Sequence, residues 1–108
     1  MTQRFLFVCS QNKLRSPTAE QIFSTYENME CDSAGLDSGA TVELSTEQIE
    51  WADVIFVMES RHRNKLSKKF RSVLNGKRVI VLNIPDEYEF MDETLIKLLK
   101  ARVVKFLR

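Results

Sequence analysis

The sequence contains few of the residues that break or cross-link a chain. Its 108 residues include three glycines, two prolines, two cysteines and one histidine. So little glycine and proline excludes a collagen-like or low-complexity chain. The two cysteines, Cys9 and Cys31, and the single histidine, His62, are too few for a disulfide scaffold or a zinc set. We therefore expect free thiols and no bound metal.

Long hydrophobic runs and an excess of one charge are also missing. No apolar run approaches the roughly 18 residues that a membrane span needs. The first residues lack the apolar region and cleavage site of a signal peptide. We therefore expect a cytoplasmic protein with no membrane partner. Sixteen basic and fifteen acidic residues leave a net charge of +1, which gives no reason to expect a nucleic-acid partner.

The composition is that of one globular domain. Hydrophobic residues make up 44% of the chain and charged residues 29%. A chain of this length corresponds to one domain and buries about 60–70% of its unfolded surface without needing staples. We find no repeat and no linker, so we expect a single domain over residues 1–108.

Short apolar runs alternate with segments of helical spacing. Buried strands are predicted at residues 4–8, 30–34, 54–58 and 79–82. Helices are predicted to begin with Ser16 as N-cap, with a capping box from Ser45 to Gln48, with Ser60 as N-cap, and at about Asp92. The third helix is expected to end at residues 75–76, an Asn-Gly pair.

This βαβαβαβα order predicts an α/β fold. Strands with near-continuous apolar runs indicate a parallel sheet covered by helices on both faces. Right-handed crossovers then give a small doubly wound domain, for which we expect four strands in the order 2-1-3-4. Ligands bind such folds at the carboxyl ends of the strands, where the loop from Cys9 to Arg15 lies.

The loop from Cys9 to Arg15 combines a nucleophile with an anion cradle. Backbone N–H groups in a tight loop and at a helix N-terminus bind a tetrahedral oxyanion, and Arg15 adds a bidentate clamp. The same positive field favours the thiolate of Cys9, which is the nucleophilic form. Ser16 can donate its hydroxyl to that thiolate. Phosphoryl transfer to cysteine is the leading interpretation, and a buried structural cysteine beside a surface arginine is the alternative.

The segment from Phe7 to Glu20, F-V-C-x-x-N-x-x-R-S-P-x-A-E, resembles the signature of the low-molecular-weight protein tyrosine phosphatases. Residues 33–35, 52–58 and 85–88 resemble later segments of the same family, so the resemblance runs through most of the chain.

The resemblance implies a role for each matching residue of the first loop. Cys9 would form a phosphocysteine, and Arg15 would bind phosphate and stabilise the transition state. Asn12 would hold the loop in a partly left-handed shape, which asparagine tolerates. Ser16 would support the thiolate. The phosphate-binding loop would consist of Ser10, Gln11, Asn12, Lys13, Leu14 and Arg15.

The resemblance also supplies an acid and a cleft wall. Asp86 would protonate the leaving oxygen and then act as base for water, and Tyr88 would line the cleft against an aromatic substrate. From the residues alone, Asp86 after Pro85 is more typical of a turn than of a catalytic acid. The implied substrate is a phosphorylated protein or a small aryl phosphate. No cofactor is implied, because loop amides and Arg15 supply the electrostatics.

The chain departs from the family pattern at several positions. Gln11 replaces a glycine, Leu14 a second cysteine, and Glu87 the proline of an Asp-Pro-Tyr motif. Lys13 stands where tyrosine-specific members carry an apolar residue and the phosphoarginine-directed branch a threonine. At the cleft mouth Lys13 would attract an acidic substrate and repel the guanidinium of phosphoarginine.

Charge is unevenly distributed along the chain. Residues 16–60 contain ten acids and no lysine or arginine, whereas residues 61–78 contain eight basic residues and no acid. The basic stretch is either a solvated helix face or a docking surface for an acidic partner. We expect His62, in the first turn of this basic helix, to be exposed and without a role.

Three functions remain open. The first is a phosphomonoester hydrolase with a cysteinyl-phosphate intermediate. The second is a phosphate- or phosphoprotein-binding module that does not turn its ligand over. The third is an arsenate reductase, which needs further cysteines to pass electrons, and Cys31 is the only candidate.

Overall fold

The four predicted strands form one parallel sheet in the computed structural model, which describes residues 2–107. The strand order is β2-β1-β3-β4, and each pairing is parallel. The strands are β1 (Gln3–Cys9), β2 (Met29–Gly35), β3 (Val54–Val57) and β4 (Arg78–Val81). The predicted order 2-1-3-4 is confirmed.

Helices connect and follow these strands within residues 2–107. They are α1 (Arg15–Phe23), α2 (Thr46–Trp51), α3 (Ser60–Lys69) and α4 (Glu93–Val103), with a 3₁₀ turn at Val104–Phe106. None of these helices is long and apolar enough to cross a membrane.

Each face of the sheet packs against its own hydrophobic cluster. Alternate residues of β1 supply both: Phe5 and Phe7 face one way, Leu6 and Val8 the other, and all four are fully buried. The Phe5 side is completed from α1 and α4, and the Leu6 side from α2 and α3. The predicted doubly wound α/β architecture is therefore confirmed, and burial on both faces explains the continuous apolar runs of the central strands β1 and β3.

Two of the predicted N-caps are wrong. Leu14 precedes α1 as its N-cap and makes no side-chain capping bond, while Ser16 lies inside the first turn. Glu59, not Ser60, is the N-cap of α3 and forms a reciprocal capping box with His62. At Ser16 a contact outside the helix decides the outcome, because its hydroxyl contacts Cys9 instead of the helix terminus. The predicted capping box of Ser45 with Gln48 is confirmed.

Helix α3 ends at Lys69, earlier than the predicted stop at residues 75–76. Phe70 leaves the helical conformation with φ −129°, and Gly76 adopts φ +82° at the end of the following turns. Val73 and Leu74 in those turns still pack with Phe70 against the Leu6 side of the sheet. Phe70, Val73 and Leu74 therefore pack against the sheet as a continued helix would have placed them, although the helix itself ends at Lys69.

Candidate active site

The loop between β1 and α1 is folded around the sulfur of Cys9. Asn12 adopts the left-handed conformation with φ +57°, and its backbone N–H donates to Cys9 Sγ at 3.3 Å. The Asn12 side chain is buried and donates to Ser16 Oγ at 3.0 Å and to Ser33 Oγ at 2.9 Å. The left-handed shape that the resemblance implied for Asn12 is present, and β2 holds it in place through Ser33.

The Cys9 sulfur also contacts the hydroxyl of Ser16. Sγ and Oγ lie 2.9 Å apart in a buried environment. Because the Asn12 amide donates to Ser16 Oγ, the Ser16 hydrogen remains to be donated. Ala34 O is farther away, at 3.5 Å, so Cys9 Sγ is the better-placed acceptor. Two donors, one backbone and one hydroxyl, therefore converge on the sulfur.

Gly35, at the end of β2, lets the loop lie directly against the neighbouring strand. A Cβ at this position would be 2.6 Å from Ser10 O and 3.0 Å from Asn12 N. Two backbone bonds hold the loop there: Leu36 N–H donates to Cys9 O at 3.0 Å and Asp37 N–H to Ser10 O at 2.9 Å. The sequence analysis identified no such role for Gly35, because the close approach comes from strand pairing.

Arg15 is anchored by one end of its guanidinium. Its side chain is only 2% exposed, and Nη1 donates to Glu59 Oε2 at 2.5 Å and to Ile84 O at 2.7 Å. Because Nη1 is engaged in both bonds, Nε and Nη2 form the edge of the guanidinium that can donate two hydrogen bonds to an oxyanion. Arg15 Nε lies 3.8 Å from Asp86 Oδ1, so this edge faces the predicted acid.

Glu59 is a site residue that the sequence analysis missed. Its carboxylate accepts from Arg61 and from Arg15, and these bonds lower the pKa of Glu59 to about 2. Glu59 is therefore ionised at every ordinary pH and holds Arg15 electrostatically as well as sterically. The feature of the sequence that could have identified Glu59 is its position just before α3, because it caps that helix at the carboxyl edge of the sheet.

The predicted loop and Asp86 line one cavity of about 340 Å³ at the carboxyl edge of the sheet. Asp86 enters it with a side chain that is 59% exposed. The lining residues are Cys9, Ser10, Gln11, Lys13, Leu14, Arg15, Asp37, Arg61 and Asp86. The structure thus brings the predicted nucleophile, clamp and acid together. A larger cavity of about 650 Å³, between Tyr26, Asn28 and Arg78, lies at the opposite edge and contains none of them.

Tyr88 does not line this cavity. It is half-buried and packs against the hydrophobic cluster on the Phe5 side of the sheet. An aromatic ring gains more by burying its faces in such a cluster than by standing in an open wall. The predicted placement of Tyr88 against the substrate is therefore not observed.

His62 corrects another prediction, because it is buried rather than exposed. Only 2% of its surface is accessible, and its ring contacts Ser10 and the backbone of Glu59. Burial, together with the positive charges of Arg15 and Arg61, lowers the pKa of His62 to about 4. Helical spacing contained the signal: His62 lies four residues before the buried Leu66, on the inward face of a helix that is otherwise basic.

Cys31 lies away from the cavity. It pairs with Phe5 in the sheet register, four residues before Cys9 on β1, or roughly 13 Å along the strand. Burial raises the pKa of the Cys31 thiol to about 11. Both cysteines are free. Among residues 2–107 there is no group of three or more histidine, cysteine, aspartate or glutamate side chains that could hold a metal ion.

Residues 4–48 match the family model described as low molecular weight phosphotyrosine protein phosphatase. The resemblance to this family is confirmed. The matched segment spans β1, the Cys9–Arg15 loop, α1, β2 and the start of α2. A comparison with curated proteins finds no match.

Solved structures extend the likeness to the whole fold. The tyrosine phosphatase Wzb from Escherichia coli K30, in complex with phosphate, is 17% identical, with a TM-score of 0.79 over 98% of this chain and 96% of Wzb. The low-molecular-weight protein tyrosine phosphatase from T. tengcongensis is 20% identical, with a TM-score of 0.78 over 98% of this chain and 100% of that one. The YwlE arginine phosphatase from Geobacillus stearothermophilus is 21% identical, with a TM-score of 0.65 over 95% and 84%. At these identities the likeness establishes the fold.

Proposed function

We propose that this protein is a phosphatase that hydrolyses phosphomonoesters through a cysteinyl-phosphate intermediate. One observation carries the proposal: the Cys9 sulfur, contacted by Ser16 and by the Asn12 N–H, lies in the same cavity as the Arg15 fork and Asp86. A nucleophile, an oxyanion clamp and a proton donor are the three groups that this reaction requires.

In the first step the Cys9 thiolate attacks phosphorus. An S–P bond forms as the P–O bond to the leaving group breaks, and protonated Asp86 gives its proton to the departing oxygen. The loop amides and the Nε and Nη2 edge of Arg15 bind the three remaining phosphate oxygens. A dianionic phosphate bound at this edge would take the place of the Asp86 contact at 3.8 Å.

In the second step water attacks the phosphocysteine. Asp86, now a carboxylate, takes the proton from water while the S–P bond breaks. Inorganic phosphate leaves and the Cys9 thiolate is regenerated, stabilised by Ser16 and Asn12. Neither step changes an oxidation state, so the residues of the site suffice for both.

Phosphotyrosine or another aryl phosphate is the substrate class that we propose. Lys13 and Arg61 line the cavity together with Arg15, and Lys13 is exposed at its mouth. Asp37 and Asp86 also line the cavity, and Glu59 pairs with both arginines, so the preference rests on Lys13. Its charge at the mouth repels the guanidinium of a phosphoarginine and attracts a phosphotyrosine flanked by acidic residues. The substrate would therefore be a phosphorylated protein with acidic surroundings or a small aryl phosphate.

Arsenate reduction is the less favoured alternative. A reductase must pass electrons from the first cysteine to another, and Cys31 lies roughly 13 Å along the sheet from Cys9. Its thiol, with a pKa raised to about 11, is also a poor nucleophile at neutral pH.

The decisive experiment compares Cys9→Ser with Cys31→Ser. The wild-type protein should hydrolyse an aryl phosphate without added metal and be inhibited by vanadate. Cys9→Ser should lower kcat/KM by more than about a thousandfold, because a neutral hydroxyl replaces the thiolate. Cys31→Ser, the matched control, should retain activity. Equal hydrolysis by the wild type and Cys9→Ser would rule the mechanism out.

Calorimetry separates the phosphatase from a binding module. Phosphate binding by a wild-type protein that hydrolyses no faster than Cys9→Ser would favour the binding module. A panel of phosphotyrosine, phosphoserine and phosphoarginine peptides then tests the substrate class, with phosphotyrosine expected to give the highest kcat/KM.

A further inference from the structure

Ser10 is held by two different parts of the fold. Its carbonyl accepts the N–H of Asp37 at 2.9 Å, from the segment after β2. Its hydroxyl lies 2.9 Å from His62 Nε2, from the first turn of α3. Ser10 also lines the cavity beside Cys9. The backbone and the hydroxyl of this loop residue are thus fixed separately.

The second ring nitrogen of His62 determines which atom donates in the Ser10 contact. The backbone N–H of Glu59 donates to His62 Nδ1 at 3.1 Å, so Nδ1 carries no hydrogen. In the neutral ring the hydrogen is then on Nε2, which donates to Ser10 Oγ. Since Ser10 Oγ accepts this bond, its own hydrogen remains to be donated elsewhere.

We propose that His62 is a positioning residue that turns the Ser10 hydroxyl into a donor for the phosphate bound in the cavity. The chain of bonds runs from the Glu59 N–H through the His62 ring to Ser10 and ends on a phosphate oxygen. This inference rests on the proposed phosphatase function and adds a side-chain donor to the loop amides and Arg15.

The same helix turn also fixes Arg15. Glu59, whose N–H orients His62, accepts from Arg15 Nη1 at 2.5 Å. The start of α3 therefore aligns two phosphate ligands, Arg15 through the Glu59 carboxylate and Ser10 through the His62 ring. Burial, together with the charges of Arg15 and Arg61, lowers the pKa of His62 and keeps the ring neutral, and only a neutral ring accepts at Nδ1 while donating at Nε2.

Two substitutions at His62 distinguish positioning from support of the fold. His62→Asn keeps an acceptor near Nδ1 for the Glu59 N–H but is too short to reach Ser10. His62→Gln can also accept from the Glu59 N–H, as Gln48 does from Ser45 in α2, and its longer side chain can carry an amide donor to Ser10. We expect His62→Asn to lower kcat/KM for an aryl phosphate about tenfold, as the loss of one hydrogen bond in the transition state would. His62→Gln should recover most of this loss.

A double-mutant cycle with Ser10→Ala tests whether His62 acts through Ser10. Ser10→Ala alone should cost about as much as His62→Asn, and the double variant should cost no more than either. Additive losses, or His62→Asn within twofold of wild type while Ser10→Ala is impaired, would overturn the proposal. A preserved melting temperature in His62→Asn shows that the loss is not one of folding.

Two measurements do not depend on turnover. Imidazole ¹⁵N chemical shifts of the wild-type protein at pH 7 should show the neutral ring with its hydrogen on Nε2, and a hydrogen on Nδ1 would overturn the proposal. Titration with inorganic phosphate should give a Kd about tenfold higher for His62→Asn than for the wild type. If the wild type binds phosphate with this dependence but hydrolyses nothing, the phosphatase proposal fails and the role of His62 stands. If the wild type hydrolyses the substrate and His62→Asn changes neither kcat/KM nor Kd, the phosphatase proposal stands and the role of His62 fails.

Discussion

Two loops meet at the cavity, and they are built in opposite ways. The Cys9–Arg15 loop is pinned from β2, from α3 and from within: Asn12 and Arg15 are buried and each makes two side-chain hydrogen bonds. The segment of residues 83–92 is fixed near its ends, where Ile84 N–H donates to Met58 O at 2.8 Å and Met91 N–H to Thr18 Oγ1 at 2.9 Å. Between these anchors Asp86 is largely exposed.

The difference between the two loops corresponds to two requirements of the reaction, binding of the phosphate and protonation of the leaving group. A phosphate group has one shape, so a rigid cradle can be complementary to its transition state. Leaving groups differ in size, and an acid on a more accessible loop can approach several of them. We therefore expect changes to the buried support of the first loop to affect all substrates equally and variants in the second loop to discriminate between substrates.

Asp86→Ala should produce the largest discrimination. For an alkyl phosphate, whose alkoxide needs a proton in order to leave, kcat should fall by about 10²–10⁴-fold. For p-nitrophenyl phosphate, whose leaving group is stable as an anion, the fall should be much smaller. Glu87→Ala is the matched control, since Glu87 is exposed and does not line the cavity. An equal loss across leaving groups would remove Asp86 from the role of acid.

Gly35→Ala tests the rigidity of the first loop. The added methyl group would meet Ser10 O at 2.6 Å, so the loop must shift or the strands must part. We expect a loss of about 1–3 kcal/mol in the free energy of unfolding, typical of overpacking. Hydrolysis of all substrates should fall by about tenfold or more, with unchanged ratios between them.

Gly39→Ala controls for the effect of replacing a glycine. Gly39 has φ +85° but open space around its Cβ position, so its substitution strains the backbone without touching the loop. It should cost stability and leave kcat/KM unchanged. Full activity in a folded Gly35→Ala protein would show that the Cys9–Arg15 loop does not depend on close packing against Gly35.

The pH dependence of stability tests the burial of His62 without any substrate. Burial, Arg15 and Arg61 lower the pKa of His62 to about 4, against the opposing charges of Glu59 and Asp37. Between pH 6.5 and 4 the unfolded chain therefore binds a proton at His62 that the folded protein does not. The free energy of unfolding should fall as the pH is lowered through this window, by at most about 1.4 kcal/mol per pH unit.

Chemical denaturation across that window, in the wild type and in His62→Asn, measures this contribution. The variant should lose the slope that His62 supplies. The contributions of Glu59 and Asp37, whose pKa values are lowered, begin to be lost near pH 4.5, and both proteins share them, so the difference between the two curves isolates His62. Parallel curves for the two proteins would show that His62 titrates normally.

Features that depend on residues close in sequence could be predicted, whereas features that depend on distant contacts could not. The central strands β1 and β3 were recognisable because burial on both faces demands continuous apolar runs, and the spacing from Cys9 to Arg15 placed a loop between a strand and a helix. The cap at Ser16 was wrong because Cys9 and Asn12 bind its hydroxyl, contacts that helix-capping preferences do not contain. His62 was assigned by the basic charge of its helix, although the spacing to Leu66 pointed inward. Glu59 acquires its role only when strands far apart in sequence bring α3 beside Arg15.

The register between β1 and β2 determines how Cys9 can respond to oxidation. A disulfide needs two Cα atoms within about 7 Å, and the offset of Cys31 from Cys9 is roughly twice that. With no other cysteine in the chain, a Cys9 sulfenic acid has no internal thiol to condense with. Its recovery after peroxide exposure then depends on a thiol from outside, such as glutathione. Where none arrives in time, the sulfur proceeds to the sulfinic acid.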